Sequence, residues 1–151
     1  MTLRVMQANA RTFQMIKPVL TVFCVMASYF AVFLIFSGYW GQALMIGILG
    51  SLVFSTTLLA ASLVSQGRPW RAFWIANIVL IFIFGGGELY AALTLTNSHA
   101  TRFGGALLWV NGHITDAGFV SLAFDISTCT LSNFLGFYAS RLLIERLGQQ
   151  R

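Results

Sequence analysis

Four runs of this chain, residues 18–38, 43–65, 72–93 and 118–144, are each long and apolar enough to cross a lipid bilayer as a helix. A spanning helix needs roughly 20 mostly apolar residues at about 1.5 Å of rise each. In 151 residues, four such runs leave space only for short connections. Hydrophobic residues make up 58% of the chain and charged residues 9%, with a mean hydropathy of +0.80, outside the range of soluble globular domains. A separate soluble domain has no room. The expected fold is all-α, an integral membrane four-helix bundle forming one transmembrane domain over 1–151, with a short outer loop or hairpin between helices 3 and 4.

The basic residues give the direction. Arg4, Arg11 and Lys17 precede the first run, Arg68 and Arg71 lie between the second and third, and Arg141, Arg146 and Arg151 follow or close the fourth. Only Arg102 falls on the opposite side. Cytoplasmic loops carry the excess of Lys and Arg, so both termini are expected in the cytoplasm, with the protein multi-pass in the plasma (inner) membrane. Tyr39 and Trp40 at one boundary and Trp70 and Trp74 at the other mark the headgroup levels. The net charge of +5 does not point to nucleic acid, because these residues stand singly or in pairs at the ends of apolar runs, facing anionic headgroups. The first run, with basic residues before it, has the outline of a signal peptide. It is about twice the length of a short signal core and lacks a clear small-residue exit, so it is read as a retained span.

Residues 1–17 place Leu3, Met6, Ala10, Phe13 and Ile16 at loosely helical spacing with basic residues between, which predicts a short interfacial helix on the cytoplasmic side. Spans one and two, and two and three, are joined by so few residues that they must be antiparallel neighbours. The longer outer loop, 94–117, carries Asn111-Gly112 between "ALLWV" and "HIT", a two-residue hairpin signal. Trp109 would anchor this segment at the headgroups.

Lipid tails are as apolar as leucine, so spanning helices associate by close backbone approach and polar contacts. Small residues four apart are the corresponding signature. Span two has Ala43, Gly47, Ser51 and Ser55 in series, and span four has Thr128, Ser132, Gly136 and Ser140. Span four is also two-sided: at about 100° per residue, Ser121, Asp125, Thr128, Cys129, Ser132, Asn133, Gly136 and Ser140 share one sector, with Ala123, Leu131, Phe134 and Tyr138 opposite. Such a polar face turns toward the bundle interior, another subunit or a wet cavity.

Two acids lie within the apolar runs. Glu88 follows Gly85, Gly86 and Gly87, and it shares a helix face with Asn77, eleven residues earlier. Counting from the outer ends, Glu88 and Asp125 sit at similar depths, as do Asn77 and Asn133. The four residues form the candidate binding site for a proton or cation, with the triple glycine expected to let span four come close. A structural role for the acids, and a helix break at the glycines of the kind transporters use, are the competing readings. His99, His113 and Asp116 in the outer loop match no zinc spacing, and Cys24 and Cys129 are expected as packing residues. The sequence contains no H-E-x-x-H, G-x-S-x-G or phosphate-loop motif, and no spanning histidine for haem.

These observations predict a non-enzymatic membrane protein without cofactor or metal, either a subunit of a membrane assembly or a small transporter. Its expected partners are the lipid bilayer and other membrane subunits or a second copy of itself. The alternative is a membrane-embedded enzyme in which Glu88 and Asp125 divide acid and base roles.

Overall fold

Each apolar run falls on one helix to within about a residue, and each helix begins before its run. A computed structural model describes residues 2–37, 40–94, 101–102 and 106–149; within these, the side chains of 2–15, 37, 40, 42, 84, 88, 91–93, 101, 102 and 106 lie outside the description. The helices are α1 (Thr2–Ser37), α2 (Trp40–Val64), α3 (Pro69–Thr94) and α4 (Asp116–Gln149). All four are long and apolar enough to cross a membrane. Their outward faces are greasy: Leu63 is 82% exposed, Ile35 77% and Phe82 74%. Exposure of this kind suits lipid as the surrounding medium and is uncommon on a soluble surface.

The first helix departs from expectation. Over 2–17 the chain is helical, and it joins the first span without a break because α1 continues through Pro18. Proline removes one backbone N–H and the bond it would make to the carbonyl four residues earlier. That carbonyl belongs to Gln14, which precedes the apolar run.

Between α2 and α3 the chain turns on Gln66 and Gly67, with φ of 51° and 78°. The Ser65 N–H returns to the Ala61 carbonyl at 2.9 Å, and the Arg68 N–H to Ser65 at 3.1 Å, closing the end of α2. Pro69 then begins α3, where its fixed φ and missing N–H cost nothing.

Among the described residues, four two-residue strands lie in the connection from α3 to α4: β1 (Thr101–Arg102), β2 (Ala106–Leu107), β3 (Trp109–Val110) and β4 (His113–Ile114). The first two pair antiparallel with Thr101 opposite Leu107, and the second two with Trp109 opposite Ile114 and Val110 opposite His113. Asn111 and Gly112 link β3 to β4 with φ of 49° and 76°, the left-handed pair that a tight two-residue hairpin requires. Thr115 fastens this segment to α4. Its hydroxyl lies 2.7 Å from the Leu107 carbonyl, and its Oγ1 accepts from the Gly118 N–H at 3.1 Å, capping the helix. Asp116 in the first turn adds a favourable charge at the positive end of the helix dipole.

The helices do not pack evenly. α1 lies closely against both α2 and α4, α3 packs along α2, and α3 meets α4 much more sparsely. The core runs along α1 and the inner faces of its neighbours, with Val25, Tyr29, Phe33, Phe54, Phe73 and Leu80 buried. Where α3 and α4 do meet, aromatic rings join them: Phe73 stacks on Phe137 at 5.1 Å, and Trp70 meets Phe137 edge-on at 5.3 Å. This cluster stands at the end of the molecule that carries both chain termini. Toward the strand end, α3 and α4 have no comparable ring contact among the described residues.

Candidate functional site

The polar face of α4 is its buried face. Ser121, Thr128, Ser132, Asn133, Gly136 and Ser140 are buried, whereas Leu131, Phe134 and Tyr138 are exposed. Small residues along this stripe let α1 approach. A Cβ at Gly136 would lie 2.4 Å from the Cα of Val25 and 2.8 Å from its nitrogen, so no larger residue fits unless the helices move apart. The hydroxyls in the stripe bond within their own helix, Thr128 to Phe124 at 2.9 Å, Ser132 to Thr128 at 2.7 Å and Ser140 to Phe137 at 2.7 Å. Their size, and not an interhelical bond, is what they bring to this contact.

On α2, Ala43, Gly47 and Ser51 are buried. A Cβ at Gly47 would meet the backbone of Phe30 at 3.5 Å, an ordinary van der Waals contact. Ser51 donates to the Ile48 carbonyl at 3.0 Å. Ser55 Oγ is buried with no hydrogen-bond partner among the described residues.

The triple glycine is placed differently from the expected close approach. A Cβ at Gly85 would lie 4.0 Å from the Cδ1 atoms of Leu122 and Ile126, and one at Gly86 or Gly87 would meet no described atom within 4 Å. Three consecutive residues point in directions about 100° apart, so at most one of them can face a given neighbour. Here that one is Gly85, and long side chains from α4 reach toward it.

Because α3 stands away from α4, a cavity of about 250 Å³ remains between the four helices. Phe33, Ile46, Leu80, Ile81, Leu122 and Ile126 make its walls largely apolar. Its polar groups come from three helices: Tyr29 from α1, Asn77 from α3, and Asp125, Cys129, Thr130 and Asn133 from α4. Asn77 and Asn133, predicted to lie at one depth, are joined here: the Asn133 Nδ2 donates to the Asn77 Oδ1 at 2.8 Å, with both residues buried. Asp125 lines the same space. The side chain of Glu88 lies outside the description, so the geometry of an acid pair is not part of the observed site.

Two polar atoms on residues of this cavity have no hydrogen-bond partner among the described residues. They are the Tyr29 hydroxyl and the Asn133 Oδ1, on residues that are each 0% exposed. Tyr29 neighbours Cys129 and Asn133, yet no hydrogen bond of good geometry links its hydroxyl to either. A buried polar atom left in this state costs about 1–3 kcal/mol, so the pair marks a place where a ligand atom gains by binding. The ring of Tyr29 is fixed by a parallel contact with Phe33, centroids 6.1 Å apart, and by Gly50, where a Cβ would fall 2.6 Å from the ring.

Sequence reasoning anticipated Asn77, Asp125 and Asn133 but not Tyr29 or Gly50. The available signal was a phenol eight residues inside the end of an apolar helix, a group that seldom lies in hydrocarbon without a use for its hydroxyl. No group of three or more metal-ligating side chains is found among the described residues. No family model, curated protein or solved structure matches this chain.

Proposed function

We propose that this protein is a small, non-enzymatic, multi-pass carrier of the plasma (inner) membrane, with both termini in the cytoplasm and a polar centre at Asn77, Asn133, Asp125 and Glu88. The observation that carries this reading is the cavity. Side chains from all four helices of one chain enclose it, so the site does not need a second subunit for completion. The acids then serve as the exchangeable proton or cation site, and the apolar walls with the asparagine pair hold the substrate. Positive charge concentrated on one side of the spans supports the orientation.

Reporter fusions test the topology: fusions after Arg151 and within 66–71 report cytoplasm, and a fusion near Ser98 reports the opposite side. A cytoplasmic signal at Ser98 sinks the four-span arrangement. Purification in mild detergent tests the carrier reading against an accessory-subunit role. A clean monomer or homo-oligomer supports the carrier, and a stable stoichiometric complex with other proteins replaces it. Catalysis by the two acids is excluded if any turnover by the purified protein survives Glu88→Gln and Asp125→Asn.

A further inference from the structure

We infer that the cavity binds a neutral lipophilic alcohol or phenol, held by its hydroxyl between Tyr29 and Asn133. The inference rests on reading the cavity as the carrier's substrate site, and it names the substrate class. The two unpartnered atoms are chemically unlike. The Tyr29 hydroxyl has a proton to donate, and the Asn133 Oδ1 can only accept. A hydroxyl group meets both needs, accepting from Tyr29 and donating to Asn133. A ketone or ether leaves Asn133 unmet, an ammonium leaves the Tyr29 proton without an acceptor, and a carboxylate has no donor and meets Asp125.

A water molecule offers the same two bonds but does not fill the space. Scaling from an apolar cavity of about 150 Å³ that accepts benzene, about 250 Å³ takes roughly ten non-hydrogen atoms. The walls beyond the polar floor are aliphatic and aromatic, which suits a carbon body better than a water cluster.

Entry from the bilayer also has a structural basis. A second groove, lined by Phe73, Trp74, Ser127, Leu131 and Phe134, shares Ile126 and Thr130 with the cavity. Trp74, Ser127, Leu131 and Phe134 are all exposed. The groove thus leads from the outward face of α3 and α4 to two residues of the cavity wall, and the tail of a longer alcohol extends along it.

The test is photolabelling of the full-length protein in phosphatidylcholine vesicles. The probes are an alkyl-diazirine alcohol of about ten carbons, its methyl ether and the matching primary ammonium. The expected result is labelling at Leu122, Ile126 or Thr130, about fivefold stronger for the alcohol than for the ether, the usual worth of one hydrogen bond. Tyr29→Phe, which keeps the ring, lowers alcohol labelling to the ether's level. Equal labelling by alcohol and ether in the unaltered protein overturns the inference without reliance on any variant. Preference for the ammonium also overturns it, assigning the cavity to cations through Asp125 while leaving the carrier reading in place. Selective alcohol labelling with no protein-dependent movement of a fluorescent alcohol between leaflets supports the site and removes the carrier reading.

Discussion

Helix α4 has two neighbours that it treats in opposite ways. Against α1 it closes to backbone contact at Gly136, whereas against α3 it leaves a cavity and touches mainly through rings at one end. Both pairs of helices contain glycine, and in α3 three glycines stand in a row. The difference lies in spacing. Thr128, Ser132, Gly136 and Ser140, four apart, stack into one stripe, while Gly85, Gly86 and Gly87 spread around the helix. Composition alone therefore does not identify a seam; periodicity does.

The sharpest way to break this comparison is Gly136→Leu. A side chain there meets the Val25 backbone and should cost about 3 kcal/mol of stability, the upper range for overpacking, measured by denaturant titration in mixed micelles. Tolerance of leucine would mean that α1 and α4 are not held at this distance. Gly118→Ala comes next. A Cβ at Gly118 would fall 2.1 Å from the Leu108 carbonyl oxygen, so this change should cost about 2 kcal/mol and expose the β3–β4 segment to protease. Unchanged cleavage would show that the segment is not seated on α4.

Asn133→Leu examines the looser interface. Removing the amide strands Asn77 and should cost about 1 kcal/mol, within the range for polar contacts between spanning helices. Adding Asn77→Leu should recover part of the loss, because no orphaned partner remains. A double-mutant cycle measures the coupling, and strictly additive losses would mean that the bond contributes nothing. The smallest effects belong to Gly86→Ala and Gly87→Ala. With no described atom within 4 Å of either Cβ position, each should be neutral or stabilise α3 by about 0.5–1 kcal/mol through helix propensity. Loss of oligomer on gel filtration would reveal that these glycines face a second copy.

Much of this architecture is legible in the sequence because lipid imposes simple demands. The apolar runs mark the helices, the two-sided pattern of α4 marks its buried face, and Asn111-Gly112 marks a turn needing two left-handed residues. The meeting of Asn77 with Asn133 follows from counting depth along antiparallel helices. What stayed hidden depends on distances between helices, which periodicity does not encode. Gly50 reads as one more small residue until the ring of Tyr29 is seen over it. Gly118 looks like the edge of a span until the Leu108 carbonyl arrives from the loop. The division between the segment 1–17 and the run that follows it is not a break in the helix, since α1 continues through Pro18.

The inward-bonded hydroxyls of α4 also bear on how the protein responds to its surroundings. Since Thr128, Ser132 and Ser140 return their protons to their own helix, no bond from these three must break when α1 slides or tilts along α4. Along this stripe, register is set by the fit of Val25 over Gly136, a steric lock without an electrostatic part. Such a lock is indifferent to ionic strength and sensitive to lateral compression, so bilayer thickness and tension should shift a Cys crosslink between α1 and α4 where added salt leaves it unchanged.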